Sequence, residues 1–159
     1  MNQMQLLRPR IEVSIANQSL TLWDGSRQVA QWPCSTSKFG VGFEEGSFKT
    51  PVGAFEITEK IGDEAESGTI FKARQPVGHW QHGGEHAGDE DLVLTRILRL
   101  AGREPRNANT HERYVYIHGT NGEDRIGRRA SHGCIRLSNR DVIDLFDRIT
   151  EGTPVFIDV

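Results

Sequence analysis

The chain has 159 residues and a formal net charge of −3, a size that fits one ordinary domain and a charge that argues against a general nucleic-acid binder. Hydrophobic residues make up 36% of the sequence and charged residues 26%, so the chain can build a core and stay soluble without disulfide staples. We therefore expect a single domain over residues 1–159, and a monomer.

The amino-terminal residues show no recognisable export signal. Leu6 and Leu7 are its only early apolar pair, whereas a secretory signal needs about 7–15 apolar residues. No stretch approaches the ~18 apolar residues of a membrane span. The sequence predicts a cytoplasmic protein without a membrane span, or a periplasmic one if the chain has been trimmed. Two cysteines agree with a reducing compartment, although a disulfide between Cys34 and Cys134 stays open.

Strand patterns dominate the first third of the chain. Runs of alternating apolar and polar residues, with the hairpin signal Asp24-Gly25 between the last two, predict a three-stranded meander over residues 11–34. A Gly-, Ser- and Thr-rich loop follows, and strand alternation returns at 53–60. Residues 61–91 are mostly polar and Gly-rich, and we interpret them as an exposed insertion over the core.

The second half of the chain combines further strands with one helix. Strands are predicted at 113–118 and 153–159. Residues 92–100 fit either a strand or a helix, and we favour a strand because Gly102 and Pro105 end the segment early. The helix is predicted at about 139–150, because Ser138 can cap it and an apolar stripe runs along one side before Gly152. That stripe consists of Val142, Leu145, Phe146 and Ile149. The predicted fold class is therefore mainly β with one helix.

The segment Ser131–Asn139, SHGCIRLSN, carries the strongest chemical signal. A thiol attacks acyl carbon as a thiolate, so it needs a base or a positive neighbourhood. Cys134 has His132 and Arg136 two residues away on either side. His118 ends a predicted strand, and the Gly-rich run after it can return Cys134 to the imidazole.

Glycine and arginine extend this candidate site. Gly133 places no Cβ beside the nucleophile, and its amide with that of Cys134 could form an oxyanion hole. Arg136 offers a planar fork for a carboxylate. Arg125, Arg128 and Arg129 add positive charge, although a solvated loop is the simpler interpretation of these three.

Other reactive side chains have plainer interpretations. His79, His82 and His86 lack a fourth ligand pattern, so we expect no metal site. Cys34 ends a strand and is expected in the core. The three tryptophans, Trp23, Trp32 and Trp80, are expected as core or pocket walls.

His118-Gly119-Thr120 followed by SHGCIRLSN resembles the signature of the L,D-transpeptidase catalytic domain (YkuD-type) family. STSK at 35–38 and TPVGAFEI at 50–57 are similar to the family's substrate-side loop and following strand. The resemblance therefore covers about residues 10–158. The HGT and SHGCIR elements are highly specific, whereas the other two alone are weak.

The resemblance implies a role for each matched residue and a mixed β-sandwich with the helix packed on it. Cys134 would be the nucleophile and His118 its general base, with the Gly119 carbonyl orienting the imidazole. The residues implied to line the site are His132, Gly133 and Arg136, and Ser131 would contact substrate or support the site. The positive end of the helix would lie near Cys134, and no cofactor or metal is implied.

The implied substrate is a peptidoglycan tetrapeptide stem or muropeptide, cut between its third residue, commonly meso-diaminopimelate, and the terminal D-Ala. Water as acceptor gives an L,D-carboxypeptidase, and an amine of another stem gives an L,D-transpeptidase that forms 3–3 cross-links. The absence of a visible export signal favours the carboxypeptidase, acting in peptidoglycan recycling. A cysteine amidase and a non-catalytic peptidoglycan-binding module are more distant alternatives.

Overall fold

A computed structural model describes residues 6–81 and 91–159, and this part of the chain contains ten strands and one α-helix. The strands are β1 (Pro9–Ser14), β2 (Ser19–Asp24), β3 (Arg27–Pro33), β4 (Gly53–Ile61), β5 (Thr69–Lys72), β6 (Gln75–His79), β7 (Val93–Gly102), β8 (Tyr116–Gly119), β9 (Ile135–Arg136) and β10 (Pro154–Asp158). The helix is α1 (Asn139–Arg148), and among the described residues no helix has the length and apolarity to cross a membrane.

The strands form one mixed, branched sheet. Its main path runs β3-β2-β1-β10-β4-β7-β5-β6, and β8 branches from β7 to pair with β9. The β1–β10 and β8–β9 pairs are parallel and the others antiparallel. Residues of β1, β2, β4, β10, β8, β9 and α1 share one core, as the two layers of a sandwich do. The predicted mainly β fold with one helix is confirmed.

Helix α1 begins where the sequence predicts. The Ser138 hydroxyl accepts a hydrogen bond from the Asp141 amide at 3.1 Å, which caps the first turn. The predicted apolar stripe is buried in the core. The helix ends at Arg148, earlier than the predicted 150, because Ile149 has an extended backbone (φ −122°, ψ 163°). That conformation turns the chain towards β10 while the Ile149 side chain stays in the core.

The stretch 61–91 differs from the exposed insertion that its composition suggests. Strands β5 and β6 form a hairpin, and β5 pairs with β7, so the hairpin extends the sheet. Ile70 and Phe71 are each 7% exposed, whereas all of β6 is exposed. These two adjacent residues of β5 pack against buried residues of β7, Leu94 and Ile97. Residues 82–90 of the predicted insertion lie outside the described part of the chain.

Candidate active site

The parallel pair β8–β9 brings the predicted residues to one face of the sheet. Its register aligns Ile117 with Ile135 and His118 with Arg136. Both isoleucines belong to the main core. Because side chains alternate along a strand, His118 and Arg136 point to the opposite face. Cys134 directly precedes β9 and packs against the cluster that contains Tyr116, which is on the same face of β8 as His118.

The Cys134 thiol lies beside the beginning of β8. Sγ accepts a hydrogen bond from the Tyr116 amide at 3.3 Å and donates one to the Tyr114 carbonyl at 3.6 Å. Burial raises the pKa of Cys134 to about 12, although the Tyr116 N–H and the charges of Arg136 and Arg113 oppose the rise. The resting thiol is therefore protonated at neutral pH, and attack on a substrate requires a base.

Tyr114 explains why strand β8 begins later than predicted. Its backbone lies in the left-handed region (φ +57°), which interrupts the extended conformation expected from residue 113. This turn aims the Tyr114 carbonyl at Sγ. Strained backbone of this kind is typical of functional sites.

His118 is 1% exposed and its tautomer is defined by a backbone group. Nδ1 lies 2.5 Å from the Gly119 carbonyl oxygen, which can only accept, so Nδ1 carries the proton and Nε2 the lone pair. Burial lowers the pKa of His118 from 6.5, against the opposing charge of Asp91 and the bond to Gly119. The imidazole is thus neutral at pH 7 and able to accept a proton. Within the described structure no hydrogen bond joins His118 to Sγ of Cys134.

Gly133 is held by hydrogen bonds on both sides. Its amide donates to the Ser131 hydroxyl at 3.2 Å, and its carbonyl accepts from Thr50 Oγ1 at 3.0 Å. The Ser131 hydroxyl in turn donates to the Cys134 carbonyl at 2.6 Å. With φ +121°, Gly133 occupies a region that favours glycine. Since its amide is already engaged by Ser131, the oxyanion hole expected from Gly133 and Cys134 stays a prediction.

Asp91 is a site residue that sequence reasoning missed. Its carboxylate lies 2.9 Å from Nδ1 of His132 and 2.8 Å from a terminal nitrogen of Arg136. Burial alone would raise the pKa of Asp91, but the nearby His118 imidazole, the charge of Arg136 and the bonds from His132 and Arg136 lower it. The sequence feature that could have indicated Asp91 is its position at the end of the polar stretch 61–91, directly before the predicted strand at 92–100.

Arg136 and His132 are both engaged by other side chains of the protein. Arg136 is 2% exposed and paired with Asp91, so a substrate carboxylate would have to compete with Asp91 for its fork. His132 is partly exposed and packs between Phe39 and Phe48, with ring centroids 6.0 Å from each. The predicted substrate-binding roles of Arg136, His132 and Ser131 stay predictions.

A cavity of about 130 Å³ borders the thiol. The residues lining it are Glu45, Gly46, Phe48, Glu112, Arg113, Tyr114, Val115, His132, Gly133 and Cys134. Arg113 was also missed by the sequence analysis, and it donates to the Lys49 carbonyl at 2.7 Å. One guanidinium group and two carboxylates therefore line the same cavity as the thiol.

The loop between β3 and β4 forms one wall of this site. Ser35 and Arg136 exchange two backbone hydrogen bonds of 2.9 Å, and Ser37 bonds to the Phe48 carbonyl. Phe48 has φ +59° and is 54% exposed beside the cavity. The STSK and TPVG elements thus contact the segment that carries Cys134.

Helix α1 contributes less directly to the thiol than expected. Its first amide, at Asn139, donates to the Glu123 carboxylate at 2.8 Å. The direct backbone donor to Sγ is instead the Tyr116 amide of β8. An effect of the helix dipole on Cys134 stays a prediction.

The remaining sequence candidates lie away from the site. Cys34 is fully buried in the core, as predicted, and Trp32 is buried there too. His79 contacts the Ser67 carbonyl at 2.9 Å, while His82 and His86 lie outside the described residues. The described residues contain no group of metal-ligating side chains.

Comparison with protein families gives a match over almost the whole chain. Residues 8–157 match the family described as YkuD, L,D-transpeptidase catalytic domain. YqjB of Bacillus subtilis, named as an L,D-transpeptidase, is 33% identical over 113 residues, which cover 71% of this chain and 59% of YqjB. YkuD of Bacillus licheniformis, named likewise, is 29% identical over 148 residues, which cover 93% of this chain and 64% of that protein. The chain thus spans about three fifths of the length of these relatives.

Solved structures share the fold. An L,D-transpeptidase from Mycobacterium smegmatis matches with a TM-score of 0.63 at 17% identity, over 96% of this chain and 59% of that one. The transpeptidase LdtMt1 in complex with imipenem matches with a TM-score of 0.61 at 21% identity, over 94% and 58%. At these identities the likeness concerns the fold alone.

Proposed function

We propose, from the premise that this chain belongs to the L,D-transpeptidase catalytic domain (YkuD) family, that it is a cysteine acyl-transfer enzyme acting on peptidoglycan tetrapeptide stems. The observation that carries the proposal is the shared face on which the Cys134 thiol and the neutral His118 imidazole lie. The substrate bond is the amide between the third residue, meso-diaminopimelate, and the terminal D-Ala.

The first step forms a thioester. As Sγ of Cys134 attacks the amide carbon, its proton passes to Nε2 of His118, whose Nδ1 stays bonded to the Gly119 carbonyl. The C–N bond then breaks, and the proton moves from His118 to the departing amine of D-Ala. The Tyr116 amide, already 3.3 Å from Sγ, stabilises the thiolate character that develops on the way.

The charged residues around the cavity suit a substrate that carries both a carboxylate and an ammonium group. Arg113 borders the thiol and would attract a stem carboxylate, whereas Glu45 and Glu112 on the same cavity would attract an ammonium group. Diaminopimelate carries both groups. The proposed substrate thus fits the charges around Cys134.

For the second step we favour hydrolysis, which makes the enzyme an L,D-carboxypeptidase. The cavity of about 130 Å³ is small compared with the ~300 Å³ or more of a typical ligand pocket, so it can take only part of one stem and leaves more room for a water molecule than for an acceptor stem. The second candidate is transpeptidation, for which Glu45 and Glu112 could bind the amine of an acceptor stem. The cytoplasmic location expected from the sequence stays a prediction.

Product analysis by mass spectrometry tests this proposal. Incubation with a disaccharide tetrapeptide or a free tetrapeptide, without metal or nucleotide, is expected to yield tripeptide and D-Ala. Pentapeptide should be left intact, because the cut bond requires D-Ala as the terminal fourth residue. Cross-linked dimers as the main product at low substrate concentration would establish the transpeptidase instead, and no product from any stem would refute acyl transfer.

Intact-mass measurement with imipenem tests the nucleophile separately. The structure of LdtMt1 was obtained with this carbapenem, and we expect one covalent adduct on the present chain. The adduct should be absent from the Cys134→Ala variant. An adduct that persists in this variant would contradict the assignment of Cys134.

A further inference from the structure

A buried hydrogen-bond network contacts the backbone next to the Gly119 carbonyl, to which His118 is bonded. Asn139, the first residue of α1, is 7% exposed. Its Nδ2 donates to the Thr120 carbonyl at 2.9 Å, and its Oδ1 accepts from Thr95 Oγ1 at 2.6 Å. One side-chain amide thus joins the loop after β8 to strand β7 and to the start of the helix.

Thr95 is held in an unusual conformation. It is fully buried with φ +77°, in the stretch of β7 where the register with β8 shifts between Leu94 and Ile97. A β-branched residue with positive φ persists only where its surroundings dictate it. Its hydroxyl accepts from the Gly68 amide at 2.9 Å, so its proton is directed to Asn139.

Asn139 also packs directly on the backbone of Gly119. A Cβ added at Gly119 would lie 2.3 Å from Oδ1 of Asn139 and 2.7 Å from the Leu94 carbonyl oxygen. No side chain fits there without moving the helix or β7. Because Gly119 has no Cβ, the side-chain amide of Asn139 can pack directly against the backbone that carries the Gly119 carbonyl.

We propose that Asn139 and Thr95 are positioning residues that hold the backbone of Gly119 and Thr120 so that the Gly119 carbonyl faces Nδ1 of His118. The inference rests on the proposed role of His118 as the base. The position requires an amide, because the side chain must donate to Thr120 and accept from Thr95 at once. A carboxylate of the same shape can only accept and would repel the Thr120 carbonyl.

Near-isosteric variants test the inference. Asn139→Asp removes the hydrogen bond to the Thr120 carbonyl with little change of shape. Thr95→Val, also near-isosteric, removes the hydroxyl with its bonds to Asn139 and Gly68, whereas Thr95→Ser keeps the hydroxyl. We expect kcat to fall about 10- to 100-fold in the first two with KM little changed, as for other partners that orient a histidine. Thr95→Ser should be close to the parent enzyme.

The direct readout is the tautomer of His118, measured from the ¹⁵N shifts of its ring nitrogens. The parent should show the Nδ1–H form, and Asn139→Asp and Thr95→Val should show a mixture. This measurement needs no substrate. It therefore separates failure of the network from failure of the proposed reaction.

Asn107→Asp is the matched control. Asn107 is fully buried, and its Nδ2 donates to the Val52 and Ala54 carbonyls at 3.1 Å, so it has the same chemistry without contacting the site. It should lower the melting temperature and leave the His118 tautomer unchanged.

Two outcomes would overturn the inference. One is a His118 tautomer that is unchanged in both network variants, and the other is a kcat loss in Asn107→Asp equal to theirs. If Asn139→Asp does not fold, the comparison of Thr95→Val with Thr95→Ser decides.

Discussion

Cys34 and Cys134 have thiols of the same basicity in opposite surroundings. Burial raises the pKa of each to about 12. Cys34 is fully buried among the apolar residues of the main core. Cys134 instead borders a cavity, and Sγ has hydrogen bonds to two backbone groups at the start of β8.

Under the proposed mechanism, the pKa of the resting thiol does not distinguish the nucleophile from a core cysteine, because burial raises both pKa values. What distinguishes Cys134 is access for a substrate and polar groups that favour the thiolate once a base removes the proton. The neutral His118 imidazole on the same face can be that base. Substitution and chemical labelling can test whether the two cysteines differ for these reasons.

Replacing each cysteine with alanine should give the largest contrast. We expect Cys134→Ala to abolish tetrapeptide turnover, because it removes the attacking atom. Cys34→Ala should keep most of the activity and lower the free energy of unfolding by about 1 kcal/mol, the usual size of a core truncation. Turnover assays with thermal unfolding of both variants check this. A folded but inactive Cys34→Ala would contradict it.

Replacing His118 and replacing His132 should lower kcat by different amounts. His118→Ala should lower kcat by about 10²-fold or more, since it removes the general base. His132→Ala should cost less, because that imidazole is bonded to Asp91 and packed against two phenylalanines. A paired kinetic assay measures both effects. The reverse order would reassign the base to His132.

The pH dependence of alkylation compares the two thiols directly. Because the pKa of Cys134 is raised, its thiolate fraction should grow about tenfold per pH unit from pH 7 to 10. The rate of labelling by iodoacetamide should rise accordingly, while Cys34 stays unlabelled in the folded protein. Mass spectrometry of peptides locates the label. A plateau near neutral pH would show that the thiolate is already formed at rest.

Asp91 should have the smallest effect. Its negative charge raises the pKa of Cys134, so Asp91→Asn should make labelling of the thiol at pH 8 about threefold faster. The exposed Asp124 offers a matched control, and Asp124→Asn should leave the rate unchanged. Equal rates in the parent and Asp91→Asn would mean that the carboxylate does not act on the thiol.

Local sequence determined most of the secondary structure. Alternation predicted β1 to β4, the stop signals Gly102 and Pro105 favoured a strand at β7, and the cap at Ser138 with the apolar stripe predicted α1. These signals are local, since each depends on residues within a few positions of one another. The motif at residues 131–139 could also be recognised from the sequence, because its residues are contiguous.

The surroundings of the site residues came from the fold. Asp91 contacts Arg136 and Thr95 contacts Asn139 from segments far away in sequence, and no local pattern connects these pairs. Tyr114 and Thr95 adopt positive φ values that their residue types disfavour, so contacts from elsewhere must hold them there.

Sequence by itself therefore determined the family resemblance, the mainly β fold with one helix, and the candidate pair Cys134 and His118. Tertiary structure decided that Arg136 is paired with Asp91, that the Gly133 amide is engaged by Ser131, and that Asn139 packs on Gly119. The physical reason is that propensity and alternation act over a few residues. The protonation and orientation of a buried group depend instead on every charge and hydrogen bond that the fold brings to it.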